Sequence, residues 1–131
     1  LYTTARNEDE LLVAVSFPKV KPNQVMVFDE LTRRRGDYAL CGLAAAFDMQ
    51  GPHISSAKLA YLSMADTPVL ATHAAAALVG KALTEETIAQ AQTALAHDLS
   101  PLGDLHGSAL GKLHWAKVLL ARSVRQIGAR A

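Results

Sequence analysis

The sequence has 131 residues, of which 50% are hydrophobic and 19% are charged, and its formal net charge is +1. This length is typical of one domain with a single core, so we treat residues 1–131 as a single domain. A net charge this close to zero argues against bulk attraction to nucleic acid or to an anionic membrane. The longest strongly apolar stretch, Ala39 to Phe47, is too short to cross a bilayer as a helix.

The chain begins with Leu1 instead of methionine, and no basic region or signal peptide precedes its first patterned segment. That segment starts after only about ten residues. We therefore expect the chain to be a fragment or a C-terminal domain of a longer polypeptide.

Four stretches in the first half of the chain have strand-like patterns. Residues 11–17 place Val13, Val15 and Phe17 at alternating positions, and Pro18 ends the run. The other three stretches are residues 25–28, 38–49 and 54–64. Gly51-Pro52 is a strong turn signal, which favours a hairpin between the last two, although Leu43–Ala46 would tolerate a helix.

From Thr67 onwards, the apolar period changes to that of helices. Thr67 is predicted as an N-cap with Pro68 at the first helical position, and Gly80 is predicted to end this helix. Thr84 is predicted to cap the second helix, and the third is predicted from near Gly107-Ser108 to about Ile127. The buried stripe predicted for the third helix is Ala109, Leu113, Ala116, Leu120, Val124 and Ile127. Its basic residues are expected mostly on other faces: Lys112, Lys117, Arg122 and Arg125.

The strands therefore come first and the helices second. This order predicts an α+β fold, in which an antiparallel sheet of about four strands packs against three helices, instead of alternating α/β winding.

Residues 28–40 lie between two strand-like segments and contain three consecutive arginines, a Gly-Asp turn signal and two aromatics. Residues 32–40 of this stretch are called the arginine turn below. Arg33-Arg34-Arg35 has two interpretations: a solvated basic turn, or an arginine fork that faces an anionic or electron-rich group. Gly36-Asp37 predicts a chain reversal in which Asp37 hydrogen-bonds local backbone. By composition alone, Phe28 and Tyr38 are expected to be core aromatics.

The remaining reactive residue types give weaker signals. The five histidines show no ligand spacing, so we expect no metal site. His106-Gly107-Ser108 could suggest a base and a nucleophile, but a loop that packs and caps a helix is the favoured interpretation. Cys41, the single cysteine, lies in an apolar run and is expected to be an inert core thiol. We expect no catalytic residue in this chain.

Several motifs in the right order resemble one known family. The pattern Glu-x-x-Arg-Arg-x-Gly-Asp-aromatic-Ala is matched by Glu30, Arg33, Arg34, Gly36, Asp37, Tyr38 and Ala39. It is followed, before a basic final helix, by Asp66-Thr67-Pro68, Asp98-Leu99-Ser100-Pro101 and Asp104-Leu105-His106-Gly107-Ser108. From about Glu10 to Arg125, the chain resembles the C-terminal domain of the FAD-binding (medium) subunit of molybdenum hydroxylases, the xanthine dehydrogenase and carbon monoxide dehydrogenase flavoprotein family.

The resemblance implies a domain that packs beside the flavin of an electron-transfer complex. In that family, electrons from a substrate oxidised at a molybdopterin centre cross iron–sulfur clusters to FAD, which passes them to an acceptor. The cofactor-binding residues that the resemblance implies are Phe28, Glu30, Arg33, Arg34, Asp37 and Tyr38. Phe28 would lie against or near the isoalloxazine ring, and Arg33, with Asp37 nearby, would bias the flavin potential.

The resemblance also implies which groups lie elsewhere. The glycine-rich pyrophosphate site of the family precedes this domain, so FAD would be shared with an N-terminal part that this chain lacks. Molybdopterin and the iron–sulfur clusters would belong to partner chains, a molybdopterin subunit and an iron–sulfur subunit. We expect a cytoplasmic protein with no nucleic-acid partner and no membrane span. The alternative is a stand-alone interaction module that docks an acidic partner through Arg33–Arg35.

Overall fold

The computed structural model describes residues 3–129 and contains one four-stranded antiparallel sheet with the strand order β1-β2-β3-β4. The strands are β1 (Gln24–Leu31), β2 (Cys41–Gln50), β3 (His53–Leu62) and the short β4 (Val69–Leu70). The helices that follow are α1 (Thr72–Leu78), α2 (Glu85–Asp98) and α3 (Ala109–Gly128). The predicted fold class, an antiparallel sheet of four strands followed by three helices, is confirmed.

The central hairpin joins β2 to β3 through Gly51-Pro52, as predicted. Gly51 has a φ of 57°, a left-handed conformation that glycine adopts without steric cost. The predicted strand 25–28 lies within β1. The predicted strands 38–49 and 54–64 overlap β2 and β3, respectively, and differ from them only at their ends.

The sheet has one covered face and one exposed face. Side chains on the covered face point at the helices and are buried: Val27, Leu43, Ala45, Phe47, Leu59 and Tyr61. The Tyr61 hydroxyl donates to the carbonyl of Ala116 in α3 at 2.9 Å, so the polar atom of this buried ring is satisfied. The alternating residues form the opposite side of the sheet, which we call the outer face.

Local caps define the two long helices. Thr84 Oγ1 accepts from the Thr87 amide at 3.2 Å at the start of α2, and Ser108 Oγ accepts from the Gly111 amide at 3.1 Å at the start of α3. Four predicted stripe residues of α3 are buried: Ala116, Leu120, Val124 and Ile127. The other two are not, because Ala109 is exposed and Leu113 is half-buried. No helix within residues 3–129 combines the length and apolar character that crossing a membrane requires.

The first predicted strand, residues 11–17, is wrong. Residues 3–23 contain no helix or strand, and the side chains of Val13 and Phe17 are 86% and 84% exposed. An alternating pattern forms a stable strand only when a neighbouring strand and an apolar layer accept it. Within the described residues, the segment 11–17 has neither, and the fourth strand of the sheet is β4.

The predicted start of the first helix is also wrong. Val69 and Leu70 extend the sheet as β4, pairing with Tyr61 and Ala60, and α1 begins only after them. Thr67 is therefore not the N-cap, which is Ala71. Sheet pairing at the open edge of β3 outweighs the local helix signal.

Lys112 departs from the expected exposure of the basic residues in α3. It is only 8% exposed, and its ammonium donates to Asp104 Oδ2 at 2.6 Å. A buried ammonium requires such a partner, because desolvation of an unpaired charge is costly. Here the partner lies just before the helix, in the loop that leads into it.

Candidate functional site

The arginine turn is a tight connection between the ends of β1 and β2. The Leu40 amide donates to the Leu31 carbonyl at 2.8 Å, which closes the base of the turn. At its tip, the Asp37 amide donates to the Arg34 carbonyl at 3.2 Å, and Gly36 has a φ of 80°. A side chain would be strained at this φ, so the predicted chain reversal at Gly36-Asp37 is confirmed and its glycine is explained.

The Asp37 carboxylate contacts two other residues of the turn. Its Oδ1 accepts from the Tyr38 amide at 2.9 Å, and its Oδ2 lies 3.8 Å from Nη2 of Arg33. The Arg33 side chain remains 59% exposed. An exposed pair at this distance is worth less than about 1 kcal/mol, so Asp37 restrains the guanidinium only weakly and its donors stay available to another group.

The two aromatic residues of the candidate site are exposed, which corrects the expectation from composition. Tyr38 is 94% exposed and Phe28 is 59% exposed. Phe28 alternates with buried Val27 and therefore points to the outer face, which the three described helices leave uncovered. Tyr38 directly follows the tip of the turn. Neither ring therefore belongs to the core.

The six predicted cofactor-binding residues form two groups. Arg33, Asp37 and Tyr38 are joined by the contacts around the Asp37 carboxylate. Phe28 and Glu30 share the outer face of β1, since they are two residues apart on one strand. Each residue of a strand adds about 3.3 Å, so Phe28 lies about 10 Å from the end of β1, where the turn begins. Arg34 is exposed on the turn itself.

This candidate site is an open surface. None of its six residues lines the cavity beside Ser63 or the one beside Arg6. A planar ligand held at the arginine turn would therefore need a second wall from another part of the protein.

Sequence reasoning missed a cavity of about 470 Å³ at the end of β3. Asp66, Asp104 and Lys112 line it together with Ser63, which has a φ of 62°. The Lys112 ammonium, followed by the His106 amide, lowers the pKa of Asp104 to about 2. The spacing Asp104-x-x-Gly107-Ser108 is the sequence feature that could have indicated an ordered aspartate here, because in such a loop the carboxylate accepts from the amides of the residues that follow it.

The interpretation of His106-Gly107-Ser108 as a loop that packs and caps a helix is confirmed. The Ser108 hydroxyl is the N-cap of α3. A Cβ on Gly107 would lie 2.7 Å from the indole of Trp115, so only glycine lets the loop pack so closely on α3. Cys41 is likewise a core residue, since it is fully buried and burial raises the pKa of its thiol to about 12.

Asp98 links two helices, a role that was not predicted from the sequence. Asp98, at the end of α2, accepts from the amides of His73 and Ala74 at 3.0 and 2.9 Å and from His73 Nδ1 at 2.8 Å. Burial raises the pKa of Asp98, but these hydrogen bonds outweigh it and hold the pKa below its ordinary value. This carboxylate supplies the cap that α1 lacks in its own sequence. Residues 3–129 contain no cluster of three or more potential metal-binding side chains.

The sequence matches the family model described as the CO dehydrogenase flavoprotein C-terminal domain over residues 26–127. The carbon monoxide dehydrogenase medium chain of Afipia carboxidovorans is 32% identical over 130 residues, which is 99% of this chain and 45% of the relative. The 6-hydroxypseudooxynicotine dehydrogenase complex subunit alpha of Paenarthrobacter nicotinovorans is 32% identical over 124 residues, 93% of this chain and 42% of the relative.

Solved structures agree with these sequence matches. A chain of reconstituted CO dehydrogenase from Oligotropha carboxidovorans superposes with a TM-score of 0.80 at 31% identity, covering 87% of this chain and 40% of that chain. A chain of quinoline 2-oxidoreductase from Pseudomonas putida 86 superposes with a TM-score of 0.73 at 36% identity, covering 80% of this chain and 37% of that chain. The chain thus spans less than half the length of the relatives that it matches. The resemblance identified from the motifs is confirmed, and the chain belongs to the CO dehydrogenase flavoprotein C-terminal domain family.

Proposed function

We propose that this chain is the C-terminal domain of a longer FAD-binding subunit, in which the arginine turn lies beside the flavin ring. The subunit would belong to an oxidoreductase complex of the molybdenum hydroxylase type. The observation that carries the proposal is the arrangement in the arginine turn. An almost fully exposed tyrosine, whose backbone amide donates to Asp37, and an exposed arginine that pairs loosely with Asp37 lie together within a motif of the matched family.

The side chains fit one part of a flavin site. Exposed Tyr38 and Phe28 offer ring faces for stacking on a planar cofactor. Arg33 offers a planar set of donors for electron-rich ring atoms, while Glu30 and Arg34 lie nearby as further polar contacts. The sequence has no glycine-rich phosphate loop of standard spacing, so this chain would contribute to the ring side of the site only.

FAD, when bound, would supply the electron carrier, and its reduction adds negative charge to the ring system. Arg33 would stabilise that charge and raise the reduction potential, because a fixed guanidinium nearby favours the more negative form. Asp37 would lie beside the guanidinium as a weak ion-pair partner, and Tyr38 would shield the ring from water. The chain itself would carry out no covalent step.

The segment 11–17 supports the proposal that the chain is part of a longer subunit. Five of its side chains are large, apolar and at least 62% exposed: Leu11, Leu12, Val13, Val15 and Phe17. Such a concentration of exposed apolar area is unfavourable in water and is typical of a surface that another protein layer covers.

The remaining parts of the proposal follow from the family. Molybdopterin and iron–sulfur clusters would be carried by partner chains, a molybdopterin subunit and an iron–sulfur subunit, and the complex would be cytoplasmic. The family match over residues 26–127 favours this function over a stand-alone module that docks an acidic partner through Arg33–Arg35.

The test uses the full-length subunit loaded with FAD. A tyrosine stacked on the ring quenches flavin fluorescence, so Tyr38→Ala should raise the fluorescence per bound flavin several-fold. Leu105→Ala, which changes a fully exposed residue on a different loop, is the control and should leave the fluorescence unchanged. If Tyr38→Ala also leaves both fluorescence and flavin content unchanged, the arginine turn is not beside the ring and the proposal is wrong.

A further inference from the structure

The outer face of the sheet carries an apolar band that no other part of residues 3–129 covers. Strand pairing aligns Phe28 of β1 with Ala44 of β2, Ala60 of β3 and Leu70 of β4, in one row across the whole sheet. Phe28 and Leu70, at the two edges, are 59% and 63% exposed, and Ala44 between them is exposed as well.

The band continues into the rows on either side. Met26, which is 58% exposed, lies in the row farther from the arginine turn, together with Ala46 and the exposed Lys58. Gly42 and Leu62 lie in the row nearest the turn, together with the exposed Glu30. The far end of the outer face is polar, where Gln24 Nε2 donates to Asp48 Oδ1 at 2.8 Å. The apolar band is therefore confined to the part of the face that adjoins the arginine turn.

This pattern differs from that of a sheet whose second face meets water. An antiparallel sheet packed on one side normally alternates apolar and polar residues, with the polar set outside. Here one whole row is apolar, with alanines in the middle and Phe28 and Leu70 at the edges, and the charged residues Glu30 and Lys58 lie in the rows on either side of it. Neither the cavity beside Ser63 nor the one beside Arg6 is lined by this row, and an exposed apolar row suits the packing of another protein layer.

We infer that the apolar band is an interface within the full-length subunit, covered by the flavin-holding part of the same polypeptide. The inference rests on the proposed function. The chain spans 45% of the relative from Afipia carboxidovorans, so more than half of that relative lies outside the region matched here. A tethered domain is present at a millimolar effective concentration, which favours it over a separate chain as the layer that covers an adjoining apolar face. The band also borders the turn at which the flavin is proposed to lie.

Cysteine labelling of the FAD-loaded, full-length subunit tests this inference. Ala44→Cys puts a thiol in the centre of the band, and Ala89→Cys puts one on the exposed surface of α2 as the matched control. Native Cys41 is buried with a pKa raised to about 12, so it adds little background in this region. With a maleimide probe, Ala44→Cys should react at least about tenfold more slowly than Ala89→Cys, and equally fast once both proteins are unfolded in urea.

Three results would overturn the inference. Equal labelling of the two folded variants would mean that the band is open. Protection of Ala44→Cys that appears only after partner subunits are added would assign the band to another chain. Protection that grows with subunit concentration would assign it to a second copy. Flavin content separates the two proposals. If the subunit cannot be loaded with FAD and Ala44→Cys is nevertheless protected, the proposed function is contradicted and an interface within the subunit is still supported.

Discussion

Leu120→Ala should destabilise the domain strongly, because Leu120 is fully buried in the hydrophobic core. Burying a leucine side chain contributes roughly 1.5–3 kcal/mol, and the cavity left by its truncation brings the usual cost to about 2–5 kcal/mol. A domain of this size is stable by only about 5–15 kcal/mol, so the loss is a large fraction of the total.

Leu110 offers a matched control in the same helix, since it is 81% exposed. Leu110→Ala makes the same chemical change and the same change in helix propensity, but it should alter stability by less than about 0.5 kcal/mol. Urea unfolding measures both, and with a slope of about 1–3 kcal/mol/M a loss of 3 kcal/mol lowers the midpoint by at least about 1 M. If Leu110→Ala proves as damaging as Leu120→Ala, the assignment of the buried face of α3 is wrong.

Three further predictions concern acid stability, loop packing and cofactor affinity. The folded-state pKa of Asp104 is lowered to about 2, so the stability that this carboxylate contributes is present above its ordinary pKa of about 3.9 and is lost as the pH falls towards 2. Between pH 6 and pH 3, Asp104→Asn should therefore lose less stability in urea unfolding than the native chain, and an equal loss would contradict the ion pair of Asp104 with Lys112. Gly107→Ala should lower the stability of the domain by about 1–3 kcal/mol, because the added Cβ would lie 2.7 Å from Trp115. Gly128→Ala, whose added Cβ has its nearest neighbour at 3.5 Å, should not destabilise the domain, and the reverse order in thermal unfolding would refute the packing argument. The 131-residue chain alone should show no tight binding of FAD in calorimetry, and sub-micromolar affinity would mean that it contains a complete site.

The elements that could be predicted from sequence are those whose signals are local. The hairpin at Gly51-Pro52 and the caps at Thr84 and Ser108 depend on residues within a few positions of each other, and all three were predicted. The fold class followed from the order of these elements.

The elements that could not be predicted depend on partners far along the chain. The start of α1 is capped by Asp98, from the end of α2, and β4 forms because the edge of β3 accepts it. The pattern of residues 11–17 is typical of a strand, but none of the described residues pairs with it. The burial of Lys112 could not be predicted, because it depends on how the loop that contains Asp104 folds back onto α3.

The candidate site divides in the same way. The turn at Gly36 and the hydrogen bond from the Tyr38 amide to Asp37 are local, and the sequence motif predicted them. The exposure of Phe28 and Tyr38 could not be predicted, because it depends on which face of the sheet the helices cover. The roles of the six residues towards a flavin stay a prediction.

The reduction potential of the flavin in the full-length subunit tests the central claim most directly. Arg33→Ala removes a positive charge proposed to lie near the ring, which is worth roughly 1–2 kcal/mol, or about 20–40 mV for a two-electron couple. The potential should fall by that amount, while Arg35→Ala, which removes the same charge at a variable position of the motif, should shift it much less. An unchanged potential and unchanged reoxidation kinetics in Arg33→Ala, or equal shifts in the two variants, would contradict the placement of this turn beside the flavin.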